Sequence, residues 1–200
     1  MLEFKITTIK TKEIADVAEF ISRGYFDDIF FHWVVPSDAD RLKIITDYYI
    51  AYLSAPGCVS HIARSNEGEL VGATVWLPHD VDASVYEEID KCAGIYQSNF
   101  QEVADKSHAN EPTEWPFYQL VAVVTKKEKQ GLGIGGALLK EQIDHLDAIG
   151  VGTYLEASTP YHGGGVYGKF GYQFYSDLMN FADGIALYPL YRPAGGFEND

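Results

Sequence analysis

Residues Lys129 to Leu139 read KQGLGIGGALL. Glycines at 131, 133, 135 and 136 let a backbone come close to a ligand and adopt positive φ. Such a turn at the start of a helix aims successive N–H groups and the positive end of the helix dipole at phosphate oxygens. Lys126, Lys127 and Lys129, three of the 15 lysines and arginines in the chain, stand directly before it. Two phosphate chemistries fit. Gly131-x-Gly133-x-x-Gly136 matches the dinucleotide fingerprint, with Glu156 placed as the ribose-binding acid at the end of the next strand. Against this, hydrophilic residues Thr125 to Gln130 separate the preceding strand from the first glycine, where a dinucleotide turn is tight. The glycines also come late in the chain, with no second strand–helix–strand unit after them. The other chemistry is a pyrophosphate cradle built on backbone amides, the lysines supplying a local positive field.

That local field matters because the chain of 200 residues carries a formal charge of −14. So acidic a surface repels phosphate backbones and disfavours nucleic acid as a partner. Hydrophobic residues make up 46% and charged residues 22%, as in a globular domain, and the length predicts a single domain over 1–200. No long apolar run predicts a membrane span and no apolar segment near Met1 predicts a signal peptide. A cytoplasmic protein, monomer or homodimer, is expected. Cys58 and Cys92 are far apart and in no CxxC, which predicts two reduced thiols. The six histidines are scattered with no ligand spacing, so no metal site is expected and His162 reads as a loop residue.

The elements that must position the glycine turn follow from periodicity. EFKITTIK alternates as a first strand. Thr11 caps a helix carrying Ile14, Val17, Ala18 and Ile21, with Gly24 as its stop. Ser37 or Asp38 caps a second helix with Leu42, Ile45, Tyr49 and Leu53, ended by Pro56-Gly57. VSHIARSNEGELVGATVWLP predicts a hairpin turning at Asn66-Glu67-Gly68. Val81 to about Ser107 is helical, PFYQLVAVV a buried strand, Gly135 to Ile149 a helix stopped at Gly150, and TYLEAS a strand. QFYSDL and IALYPLY predict the last two strands. One strand–helix–strand unit within an antiparallel remainder predicts an α+β fold: one mixed, mostly antiparallel sheet of about seven strands with helices on both faces.

Gln130-x-x-Gly133-x-Gly135 resembles the Q/R-x-x-G-x-G/A signature of the GNAT superfamily of acetyl-CoA-dependent N-acetyltransferases. EWPFYQLVAVV is similar to its central strand and TYLEASTP to the next. VYGKFGYQFY resembles its "lYeklGF" motif through Tyr167, Lys169, Gly171 and Tyr172. GATVWLP and DGIALYPLYRP resemble a small-molecule subgroup that includes puromycin acetyltransferase-like enzymes. The V-x-P proline of the family is missing, and His162 or Gly163 stands near its usual asparagine. The resemblance implies that Gln130, Gly131, Leu132, Gly133, Ile134, Gly135 and Gly136 hold the pyrophosphate end of CoA. It also implies that the pantetheine arm pairs with the strand at Val121, Val123 and Val124, and that Tyr167 lies at the thiol end.

Acetyl transfer to an amine then needs a fixed thioester, an oxyanion donor, an acid and a base. A backbone N–H near Val123 would serve the oxyanion. Tyr167, with a reference pKa of about 10 against about 8.5 for a thiol, can return a proton to the departing sulfur. An alkylammonium must lose a proton before it attacks. Glu114, just before the central strand, is the first candidate base, and His79 the second. Gly24 to Pro36, GYFDDIFFHWVVP, is rich in aromatics and carries Asp27 and Asp28, walls that suit a cationic amine. The expected activity is transfer from acetyl-CoA to a small-molecule primary amine by direct attack in a ternary complex. A non-catalytic CoA-binding or sensor domain is the alternative, and a nucleotide-dependent oxidoreductase a distant third.

Overall fold

The alternating stretches assemble into one sheet in the computed structural model, which describes residues 3–159 and 165–197. The strands are β1 (Phe4–Thr8), β2 (Val59–Ser65), β3 (Leu70–Pro78), β4 (Phe117–Thr125), β5 (Gly152–Ala157), β6 (Gln173–Phe174), β7 (Met179–Asn180) and β8 (Ala186–Arg192). The 8-stranded sheet has the order β1-β2-β3-β4-β5-β8-β6, with β7 also on β8. Among the described residues β4 and β5 form its parallel pair and every other pair is antiparallel. The mixed, mostly antiparallel sheet therefore holds. A chain of strand–helix–strand units, which a dinucleotide fold requires, is absent among these residues.

Helices α1 (Ile14–Tyr25), α2 (Ile29–Val34) and α3 (Asp38–Leu53) precede the central hairpin, and α4 (Ser84–Ala93) and α5 (Gln97–Ala109) follow it. Helix α6 (Ile134–Ala148) is the crossover between β4 and β5. On one face, Val17 and Ile21 of α1 and Ile45 and Tyr49 of α3 bury against Ile62, Ala73, Val75, Ala122 and Val124. On the other, Leu139 and Ile143 of α6 bury against Trp76, Leu120 and Leu155. Each fully buried aliphatic side chain contributes roughly 1.5–3 kcal/mol, so these two layers fix the sheet between its helices.

Several boundaries differ from the sequence reading. Gly24 does not stop α1; the helix runs on to Tyr25. A Cβ at Gly24 would drive into the side chain of Val124, so the glycine is there for close approach of helix to strand. The aromatic stretch before Pro36 contains an extra helix, α2, capped where the Asp28 carboxylate accepts from the Phe30 N–H at 2.9 Å. Six residues are too few to show a helical period, which hid it. The Val81–Ser107 segment is two helices, broken where Gly94 takes φ 55 and ψ −126. The last part of the sheet is three strands rather than two, β6 and β7 being of two residues each.

Candidate functional site

β4 is made to come apart from its neighbour. Its parallel pairing with β5 runs from Phe117↔Gly152 to Leu120↔Leu155 and goes no further. At the same level its pairing with β3 jumps from Leu120↔Trp76 to Ala122↔Val75, leaving Val121 as an extra, bulged residue. A bulge bends a strand and increases its twist, so the β4 edge turns away from β5. A cavity of roughly 1020 Å³ opens into the gap and is lined by Val121, Val123, Glu156, Tyr167 and the glycine turn.

The glycine turn lines that cavity. Gly131 and Gly133 take φ of 76° and 83°, and nothing lies within 4 Å of where a Cβ would stand on either. Gly133 caps α6, whose first N–H groups have no partner within the helix. Open space, free amides and a positive helix end fit a pyrophosphate. Gln130, Gly131, Gly133, Ile134, Gly135 and Gly136 all line the cavity. The side chain of Ile134 is fully buried in the core, so this position can offer only backbone, while Leu132 is 51% exposed and is not among the cavity residues. Val124 is likewise a core side chain packed beneath α1 and α3. The lysine field is smaller than its sequence suggests, because Lys126 is paired with Glu69 across the β3–β4 ladder.

Glu156, near the end of β5, also lines the cavity. Its carboxylate accepts from Ser107 Oγ at 2.9 Å and Tyr154 OH at 3.1 Å. Burial raises its pKa to about 7, against the two hydrogen bonds that favour the charged form, with Glu111 adding repulsion. A carboxylate that titrates near neutrality in a cavity is suited to take a proton from an ammonium. Tyr167 lies in a 3-10 turn, Tyr167–Phe170, and is 8% exposed. Burial raises its phenol to about 12, so it stays a proton donor.

Other sequence candidates are separated from this centre. Glu114 is exposed, accepts from Tyr175 OH at 2.9 Å, and is not among the cavity residues. It precedes the paired end of β4, whereas the gap opens at the far end, several residues away at about 3.3 Å each. Glu156 was visible in the sequence only as a ribose ligand; its burial depends on α5, which brings Ser107 over it. His79 lines the cavity, with Nδ1 3.3 Å from the Phe117 carbonyl and its ring 3.9 Å from Trp115. His162 and Gly163 lie outside the described residues.

The aromatic stretch does form a wall. Phe30 and Phe31 of α2 and Tyr48, Tyr49 and Tyr52 of α3 line the cavity, as do Tyr86 and Phe100. Of the two neighbouring acids, Asp28 lines it and holds Ser158 Oγ at 2.9 Å, whereas Asp27 is exposed and outside. Arg41, 0% exposed, fastens the α2–α3 corner by donating to the Val35 carbonyl at 2.8 Å and the Pro36 carbonyl at 2.9 Å. Cys58 and Cys92 lie off the cavity, with burial raising their thiols to about 12 and about 11. Among the described residues no group of three His, Cys, Asp or Glu is placed to hold a metal ion. No helix among them is long and apolar enough to cross a membrane.

No family model matches the chain, and no curated protein matches it in sequence. Solved structures do match. A protein described as histone acetyltransferase HPA2 and related acetyltransferase, from Corynebacterium glutamicum, is similar over 100% of both chains at 19% identity and a TM-score of 0.66. An agmatine N-acetyltransferase matches 96% of this chain and 100% of its own at 16% identity, with a TM-score of 0.67. The ribosomal-protein-S18-alanine N-acetyltransferase of Escherichia coli matches 99% of this chain and 97% of its own at 13% identity, with a TM-score of 0.57. At these identities the likeness establishes the fold, the mixed sheet and helices of GNAT acetyltransferases.

Proposed function

We propose that this protein, which has the GNAT fold, is an N-acetyltransferase that moves an acetyl group from acetyl-CoA to a primary amine of a small molecule. The observation that carries the reading is one cavity joining an open amide cradle at Gly131–Gly136, a freed strand edge at Val121–Val123, and the carboxylate of Glu156. An acyl-CoA has the matching parts: a pyrophosphate, an amide arm that can pair with a strand edge, and a thioester at its end. The bound donor supplies an activated acyl group.

The chain's own residues do the rest. Glu156, as carboxylate, takes a proton from the acceptor ammonium and leaves an amine able to attack. Backbone amides at the β4 bulge face the carbonyl oxygen on which charge develops. Tyr167 gives its proton to the sulfur that departs. No cysteine stands in the cavity, which favours direct attack over an acyl-enzyme. Glu156, Glu111 and Asp28 among tyrosines and phenylalanines suit a small cationic amine. The matched agmatine enzyme and the GATVWLP and DGIALYPLYRP stretches support a small-molecule acceptor. A cytoplasmic site of action is part of the proposal.

Release of free thiol from acetyl-CoA, followed over a panel of polyamines, amino acids, arylamines and aminonucleosides, tests the reading. Turnover with at least one cationic amine is expected. CoA binding with no turnover over the whole panel would favour a sensor domain, and stabilisation by NADPH but not acetyl-CoA would overturn the donor assignment.

A further inference from the structure

We infer that Tyr25 is a removable stand-in for the acyl donor, its hydroxyl occupying the backbone groups of Val123 that the donor's amide arm must take. The inference rests on the reading of β4 as the donor-binding edge. The Val123 N–H donates to the Tyr25 hydroxyl at 3.2 Å, and that hydroxyl donates to the Val123 carbonyl at 3.2 Å. In an antiparallel ladder a residue exchanges both backbone bonds with one neighbour. Val123 exchanges both with Tyr25, beyond the point where pairing with β5 ends. One hydroxyl thus fills the place of a missing strand.

The arrangement has a physical reason. A strand edge left unpaired beside buried side chains has a peptide N–H and C=O in need of partners. A neutral phenol can both donate and accept, and burial keeps Tyr25 neutral by pushing its pKa well above the ordinary value. Its ring is held in place by stacking on Tyr49, with centroids 6.0 Å apart and planes 19° apart, and by Phe31 at 5.6 Å. The N–H···O bond is at the long end of its usual range and the O–H···O bond is longer than usual, so both are weak enough to exchange. Gly24 seats the end of α1 directly on Val124. The helix end is therefore fixed, and displacement falls to the Tyr25 side chain. The Asp28 carboxylate acts on Tyr25 through its charge, which also favours the neutral phenol.

A residue in this role trades donor affinity for the stability of the free protein. Tyr25→Phe keeps the ring and removes the hydroxyl. Two opposite effects are expected: a lower unfolding midpoint without ligand, and CoA binding about tenfold tighter by calorimetry, since the donor no longer displaces a hydrogen-bonded group. A tyrosine that only supports the site would lose stability and affinity together, so equal or weaker CoA binding by the variant would overturn the proposal. A structure of the wild-type protein with CoA decides independently of how the variant folds. Tyr25 moved off Val123 supports the inference, and both bonds retained beside bound CoA overturns it. If neither protein binds CoA at millimolar concentration while both remain folded, the donor reading itself falls and this inference falls with it.

Discussion

At the residue scale the proposed chemistry turns on one carboxylate. Glu156 sits where burial outweighs the help of Ser107 and Tyr154, which moves its pKa from the model-peptide value of 4.5 to about 7. As a base it works only when ionised, so kcat/KM should rise with pH through about 7 and level off above it. Glu156→Gln should abolish that limb and lower kcat by roughly 10²-fold or more, with KM for acetyl-CoA little changed. Glu114→Gln, outside the cavity, should leave the limb in place. The same shift has a consequence for stability. A carboxyl with a raised folded pKa binds its proton more tightly in the folded state, so its contribution is present below pH 4.5 and is lost as pH rises through about 7. Denaturation of Glu156→Gln and wild type at pH 5 and pH 8 should therefore show the variant gaining relative stability at the higher pH. Tyr167→Phe separates enzyme from sensor: turnover should fall by roughly 10²-fold while calorimetry shows CoA still binding.

At the scale of elements, glycines and one arginine set where helices may lie. Gly133 needs φ of 83° and has open space around it. Ala there meets no neighbour but strains the backbone by about 1–2 kcal/mol, and the turn should relax at the expense of CoA affinity. Gly24 has ordinary φ but no space, because α1 rests on Val124. Gly24→Ala should destabilise by about 1–3 kcal/mol through overpacking, read as a lower denaturant midpoint. Arg41 bonds carbonyls at the α2–α3 corner from a fully buried position. Replacing it with Met leaves those carbonyls unpaired and should cost about 2–4 kcal/mol, loosening the aromatic wall that carries Phe30 and Phe31.

At the scale of the whole molecule, the sheet is nearly two sheets. β1 to β4 form one part and β5, β8 and β6 the other, joined by a short parallel ladder between β4 and β5. The Arg192 guanidinium strengthens the second part by holding Asp147 of α6 through two bonds, at 2.5 and 2.7 Å, and the Phe170 carbonyl at 2.6 Å. A donor seated across the gap touches both parts and so binds the folded chain alone. Acetyl-CoA at a hundredfold excess over its Kd should stabilise the protein by about 2.7 kcal/mol, seen as a thermal shift that NADPH does not give.

The sequence by itself determined the glycine turn before α6 and the fold class. Glycine spacing before a helical period and alternation in the strands are local patterns, and local patterns survive without knowledge of what packs on them. It also placed Tyr167 and the aromatic segment at the cavity that the structure shows. Tertiary structure alone separated the two candidate carboxylates. Glu114 and Glu156 are the same residue type near ends of adjacent strands. What separates them is that α5 covers one with Ser107 while the other faces solvent beside Tyr175. Only the folded chain could bring Tyr25 of α1 to Val123 of β4. Burial and long-range contact are properties of assembled elements, and a pKa or a competing hydrogen bond follows from them rather than from spacing along the chain.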